Sequence, residues 1–254
     1  MPWTTAWSKR LLNNPLVEES YELFLGWSFE GTLEQNLEKG LAGRYGNLGK
    51  LRDVSATLSS RLRSVESARA LIVLAKAGQP FTDWRDCYRL WVGASEEPFR
   101  SFAMEWLYAQ RAEGRYAVRV EDVQPFVAEI WKSRRASRPL NDYGLTRTAR
   151  DLIRTATSLG MLVGGGPART FATVVLSDTS LLLHAHLITE IEGSTARLVD
   201  SPLWRLSYMS PADVHAALLR LHQFKRLRYD VAGSLQQVSL PHQSALKFAE
   251  GLAA

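Results

Sequence analysis

The chain has 254 residues, a hydrophobic share of 46%, a formal net charge of +5 and a single cysteine, Cys87. That length admits one large domain or two small ones with a proper core, and a lone thiol excludes an intramolecular disulfide and suits a reducing cytoplasm. Lys9 and Arg10 are followed by Asn13, Asn14 and Pro15 where a secretory leader needs an apolar run, so no signal peptide is expected.

The first half reads as helical. Val17, Tyr21, Phe24 and Leu25 recur at helical spacing after Pro15, and Leu33, Leu37 and Leu41 follow at i, i+4, i+8. Gly40, Gly43, Gly46 and Gly49 mark a loose connection. Val54, Leu58, Leu62 and Val65 form another stripe, which Leu71 to Leu74 extend until Gly78 and Pro80 stop it. Phe81, Trp84, Cys87, Tyr88 and Trp91 make an aromatic helix, Phe99 to Leu107 a second, and Glu121 to Trp131 a further short helix. Aromatic stripes at this spacing are read as core. A helical bundle over 1–131 is the expectation.

Charge then becomes uneven. Between Lys132 and Arg169 stand eight Lys/Arg and only two acids, Asp142 and Asp151, so this window is +6 while the rest of the chain is close to balanced. The window opens on a polar hinge, Lys132 to Pro139. Leu145, Ala149, Leu152, Ile153, Ala156 and Leu159 then mark the apolar face of one helix, and Arg147, Arg150 and Arg154 share another face. Asp151 offers Arg147 and Arg154 partial pairing. Gly160 ends the helix as a C′ glycine would. Met161 to Val163 reads as a short strand, Gly164 to Arg169 as a hairpin tip, and the β-branched stretch Thr170 to Leu176 as the return strand. A helix feeding a two-stranded wing is the second half of a winged helix.

A similar grammar recurs near the end. Ser210-Pro-Ala-Asp213 is a capping-box-like start, and Val214, Leu218, Leu221 and Phe224 form its buried stripe. Leu227, Tyr229 and Val231, a turn at Ala232 to Ser234, and Leu235, Val238 and Leu240 form a hairpin. Arg220, Lys225, Arg226 and Arg228 make this unit basic. The region 132–254 is thus either one composite domain or two units, 140–199 and 200–254. The fold class expected is mainly α, a helical bundle followed by winged-helix-type helix and β-hairpin units.

Between these units, Thr170 to Ile191 is the most membrane-like stretch, but Asp178, His184 and His186 break it. It reads as a buried strand, a cap and a buried helix, with no membrane contact. Little else suggests chemistry. Gly164 to Gly166 lacks the Gly-Lys-Ser/Thr ending of a phosphate loop. His184-Ala-His186 has no Cys or acid cluster to complete a metal site and would not share a helix face. Cys87 sits in an aromatic helix and is expected in the core rather than as a nucleophile. No catalytic residue, metal or cofactor is expected.

The order of these segments resembles the BrxA family of BREX phage-defence systems. Leu11-Leu12, Leu16-Val17 and Glu19-Ser20 resemble its opening segment, and Leu58-Ser-Ser-Arg61-Leu62 its second helical block. Trp84 to Trp91 and Phe99 to Leu107 resemble its aromatic helices, and Leu145 to Leu162 its winged helix. Asp200 to Leu206 and Ser210 to Val214 resemble its C-terminal unit. Coverage is roughly residues 8–245. The resemblance implies a non-catalytic accessory protein that binds double-stranded DNA. Together with the charge pattern it nominates Arg134, Arg135, Arg138, Arg147, Arg150, Arg154 and Arg169 as DNA-binding residues, with help from Lys225, Arg226 and Arg228. Contacts would be chiefly to phosphate and weakly sequence-specific. Two rival readings are an RNA-binding module of the antitermination type and a scaffold whose tryptophan-rich half docks a larger defence enzyme.

Overall fold

The computed structural model describes residues 6–134, 139–233 and 235–253. The protein is mostly helical with small sheets. An N-terminal arm carries strand β1 (Ala6–Trp7) and helix α1 (Lys9–Asn13), which Ser8 starts by accepting the Leu11 N–H. Helices α2 (Val17–Leu25), α3 (Leu33–Leu41), α4 (Leu48–Arg61), α5 (Val65–Lys76) and α6 (Phe81–Ser95) follow. Side-chain caps start α3 and α4: Thr32 and Gln35 form a reciprocal capping box, and Asn47 accepts two N–H groups.

The aromatic stripe of α6 is core, as its spacing suggests. Trp84 and Tyr88 stack with centroids 4.6 Å apart, and the Trp84 indole donates to the Leu71 carbonyl at 3.0 Å. Two N-terminal expectations need correction. Leu25 is 43% exposed, because α2 buries the arc through Val17, Ser20 and Phe24 and residue 25 falls outside it. Gly40 belongs to α3 and Gly49 to α4 rather than to a loose connection, which is confined to the stretch around Gly43 and Gly46. A Cβ at Gly40 would come within 2.5 Å of Leu23 Cδ1, so the missing side chain lets α3 lie close to α2.

After β2 (Glu96–Glu97), which pairs in parallel with β1, helix α7 (Phe99–Ser101) passes through a π-helical segment (Phe102–Leu107) into α8 (Tyr108–Ala112). Then come β3 (Ala117–Arg119), α9 (Val120–Arg134), α10 (Asp142–Ser158), β4 (Leu162–Val163) and β5 (Ala168–Phe171). Gly160, at φ 73°, follows the α10 C-cap as its spacing suggests. The three strands form one antiparallel sheet in the order β3-β5-β4, with Ala117 opposite Thr170 and Leu162 opposite Phe171. Strand β3 had no counterpart in the sequence reading. The return strand is shorter than Thr170 to Leu176, since β3 and β4 offer only three and two residues to pair with.

Helix α11 (Asp178–Glu192) starts at the Ser177 cap and is buried nearly all round from Ser180 to Ile188. A 3₁₀ segment (Pro202–Ser207), α12 (Pro211–Gln223), the hairpin β6 (Arg228–Ala232) with β7 (Leu235–Ser239), and α13 (Ala245–Ala253) complete the chain. Phe224, expected in the α12 stripe, is 66% exposed, because α12 ends at Gln223 and residue 224 turns outward at the C-cap. One contiguous set of buried side chains runs from Leu12 to Ala249, α13 packs against α5, and residues 131 and 132 lie inside α9. Among the described residues no helix is long and apolar enough to cross a membrane.

Two buried polar networks tie this core. Arg61 Nε donates to Glu96 Oε1 at 2.6 Å, and the Arg61 Nη groups reach the Glu96 Oε2 atom and the carbonyls of Leu11, Asn14 and Pro15. Arg61→Met is expected to cost about 3–5 kcal/mol, because it strands the Glu96 carboxylate in the core. Adding Glu96→Gln should recover part of that loss in urea denaturation; a single variant as stable as the native protein would contradict the account.

The second network fixes a histidine. His184 Nδ1–H donates to the Ser180 carbonyl at 2.7 Å, so Nε2 is the acceptor facing the Ser207 hydroxyl at 3.3 Å, and Arg89 donates to Ser207 at 3.0 Å. Burial, then the Arg89 charge, lowers the His184 pKa to about 3. Burial, then His242, lowers that of His186 to about 4. Both groups fold as neutral imidazoles, so the unfolded chain binds more protons below pH 6.5. Stability should therefore fall with acidification from pH 6.5, by about 2 kcal/mol per histidine at pH 5. Denaturation midpoints at pH 7 and 5 measure this, and replacing His186 by Phe should flatten the slope.

Candidate nucleic-acid interface

Helix α10 begins at Asn141, whose side chain accepts the Gly144 N–H at 2.9 Å. Its apolar residues Ala149, Leu152, Ile153 and Ala156 are buried, and α9 packs alongside. At 100° per residue the opposite stripe runs Tyr143, Arg147, Arg150, Arg154, at i, i+4, i+7, i+11. Eleven residues of helix place its ends about 16 Å apart. Tyr143 is 71% exposed, and Arg147 and Arg150 are exposed with no ion pair among the described residues. Tyr143 escaped the sequence reading, although extending the arginine stripe back by one turn reaches it.

Arg154 differs from its neighbours. Its guanidinium is half exposed, but it pairs with Asp151 Oδ1 at 2.5 Å and donates to the Asn13 carbonyl at 2.7 Å. Thr155 Oγ1 adds a bond to the Leu12 carbonyl at 3.1 Å. Among the described residues the N-terminal arm thus meets the C-terminal half of α10, while Tyr143, Arg147 and Arg150 on its N-terminal half stay exposed. Burial raises the Asp151 pKa above the usual carboxylate range, opposed by Arg154, Arg147 and Arg150. Of the two pairings foreseen for Asp151, that with Arg154 is present, and that with Arg147 is not found among the described residues. The arm contact had no sequence signal, because it joins residues 141 positions apart.

Arg169 lies in the middle of β5 opposite Val118 and folds back to donate to the Gly166 carbonyl, bracing the hairpin tip. Asp178, at the start of α11, is bonded to Arg220 at 2.6 Å. Gly164, at φ 108°, makes the first bend of that tip, a backbone geometry that favours glycine. The remaining nominated residues are not on α10. Arg134 is the last residue of α9, and Arg135 and Arg138 lie outside the described residues. Lys225, Arg226 and Arg228 sit together on the turn from α12 into β6. Lys225 is left-handed at φ 56°, and Arg228 is bonded to Asp230 at 2.6 Å. Lys225 and Arg226 are exposed without an ion pair among the described residues.

Cys87, His184 and His186 are all buried in the core. The Cys87 thiol is fully buried and pushed up to about 12, chiefly by burial, which keeps it protonated at neutral pH. His184 stacks on Trp204 while His186 packs on Phe248, so the two diverge across α11. Among the described residues no group of three His, Cys, Asp or Glu is placed to hold a metal ion. In comparisons with protein-family models, curated proteins and solved structures, nothing matches the chain.

Asp151 restrains Arg154 and is itself costly to bury as a charge. Asp151→Asn is therefore expected to leave the protein folded and to free Arg154 for an incoming phosphate. The salt dependence of DNA binding, read as log K against log salt, should steepen by about 0.9, one phosphate's worth. Unchanged slope and affinity would mean that Arg154 is held by Asn13 alone.

Proposed function

We propose that the protein binds duplex DNA through α10, with residues 99–171 forming a winged helix. The supporting observation is a conjunction on one short stretch of chain. A helix, a strand, two helices and a glycine-rich hairpin follow in order, the first strand pairs with the second arm of the hairpin, and the last helix carries the free stripe Tyr143, Arg147 and Arg150. In winged helices the second helix of the helix-turn-helix pair enters the major groove with its N-terminal residues on the bases, and here that half of α10 is the uncovered one. Planar Arg forks suit phosphate and guanine edges. The turn carrying Lys225 and Arg226 supplies further cations for the same polyanion.

This reading accords with the resemblance to the BrxA family, and on that basis we propose a cytoplasmic, non-catalytic accessory role in phage defence. Affinity is chiefly electrostatic: contact with four to six phosphates gives a slope of about −4 to −5. Unrelated duplexes should bind alike.

Arg147→Glu with Arg150→Glu should abolish a gel shift that Lys39→Glu with Arg52→Glu, exposed on α3 and α4, largely preserves, with equal melting temperatures. Both arginines are solvent-facing, so the core is untouched. Equal losses from the two pairs would remove α10 from the interface. A structured RNA of equal length that displaces the duplex at lower concentration would favour the RNA-binding alternative instead.

A further inference from the structure

A cavity of about 600 Å³ opens between the N-terminal arm and helices α4, α5, α6, α11 and α13, and none of its lining residues belongs to α10, the wing or the α12–β6 turn. Its volume falls in the range of small-molecule sites. Two indoles, Trp7 and Trp91, line it together with Leu11, Ala70, Leu187 and Leu246, giving flat apolar surface on several sides. Ser64, Ser67 and Ser95 add hydroxyls.

The two indoles are held differently. Trp91 Nε1 donates to Ser67 Oγ at 3.3 Å, and Ser67 passes its own proton to the Ser64 carbonyl at 2.8 Å, which fixes that wall. The Trp7 indole N–H is buried with no hydrogen-bond partner among the described residues, a costly arrangement, while its ring packs edge-on against Trp131 with centroids 5.8 Å apart.

The charges that line the cavity are mostly spent. Arg61 engages all three guanidinium nitrogens with Glu96 and arm carbonyls. Glu66 pairs with Arg69 at 2.9 Å, and Glu190 accepts the Ala245 N–H at 2.6 Å. Arg63 alone remains as a lining cation without an ion pair among the described residues, and it is exposed. Converging cations of the kind that hold a phosphate are therefore lacking among those lining residues. Glu96 keeps lone pairs for a donor, since each of its oxygens accepts one bond from Arg61.

We propose that this cavity binds an uncharged, planar nitrogen heterocycle of nucleobase to nucleoside size, packed against Trp7 and Trp91 and hydrogen-bonded to the serine hydroxyls and Glu96. The site shares no residue with the DNA face, so it stands or falls independently of that reading.

Isothermal titration of the full chain with adenosine, guanosine, cytidine and adenosine monophosphate tests the assignment. At least one nucleoside should bind at submillimolar concentration, and adenosine monophosphate no more tightly than adenosine. Ala70→Leu, which fills the space, and Trp7→Ala, which removes a wall, should each weaken that binding by about tenfold or more. Melting temperatures and DNA gel shifts like those of the native protein would show that fold and DNA face are intact. Should Ala70→Leu lose its fold, Trp7→Ala carries the comparison alone. Absence of binding by every nucleoside, binding indifferent to a folded variant, or adenosine monophosphate binding about tenfold more tightly than adenosine would each overturn the proposal.

Discussion

The buried contact between Arg61 and Glu96 is the constraint on which the arrangement of the arm depends. A guanidinium and a carboxylate can share the core because the pair is hydrogen-bonded at 2.6 Å and the remaining Arg61 donors have carbonyl acceptors. Those acceptors are the backbone of residues 11, 14 and 15, so one side chain from α4 fastens the arm to the bundle. The arm in turn supplies the Leu12 and Asn13 carbonyls that meet Thr155 and Arg154. The ion pair between α4 and β2 thereby helps fix where the arm carbonyls meet α10. Hydrophobic burial supplies the driving force for the bundle, but it is non-directional and could not by itself place two carbonyls against one face of a distant helix.

The sequence disclosed the features that depend on local chemistry. The aromatic stripe of α6, the Ser210 cap, the Gly160 stop and the arginine face of α10 all follow from spacing within a turn or two of helix. The features it concealed are long-range. Strand β3 has three residues and becomes a strand only because β5 lies beside it. Gly40 looks like a loop glycine until Leu23 is placed against it. Phe224 satisfies the spacing of a buried stripe, yet α12 stops one residue too early. Within the candidate site, Arg147, Arg150 and the Asp151–Arg154 pair were legible from one helix. The tether to Asn13 and the return of Arg169 to its own hairpin were not.

Charge counts also need the fold to be weighed. The window from 132 to 169 is +6 by composition, yet its cations are not equivalent. Arg154 is partly neutralised by a carboxylate at 2.5 Å, and Arg169 spends a donor on the Gly166 carbonyl. Arg147 and Arg150 are exposed without such partners among the described residues. At physiological ionic strength the field of an exposed charge falls away within about 8 Å, so direct contacts outweigh the overall balance once a phosphate has docked.

This separation explains how one helix can serve two ends. The C-terminal half of α10 is polar but internally satisfied: Arg154, Asp151, Thr155 and the arm carbonyls bond one another and hold the helix in place. The N-terminal half keeps its donors free, because Tyr143, Arg147 and Arg150 face solvent above a packed apolar stripe. A rigid element that presents unspent donors needs little reordering when a polyanion arrives, so less of the electrostatic gain is lost to immobilising side chains. Arg61 fastens residues 11, 14 and 15 of the arm, and the neighbouring carbonyls of Leu12 and Asn13 meet α10 at Thr155 and Arg154.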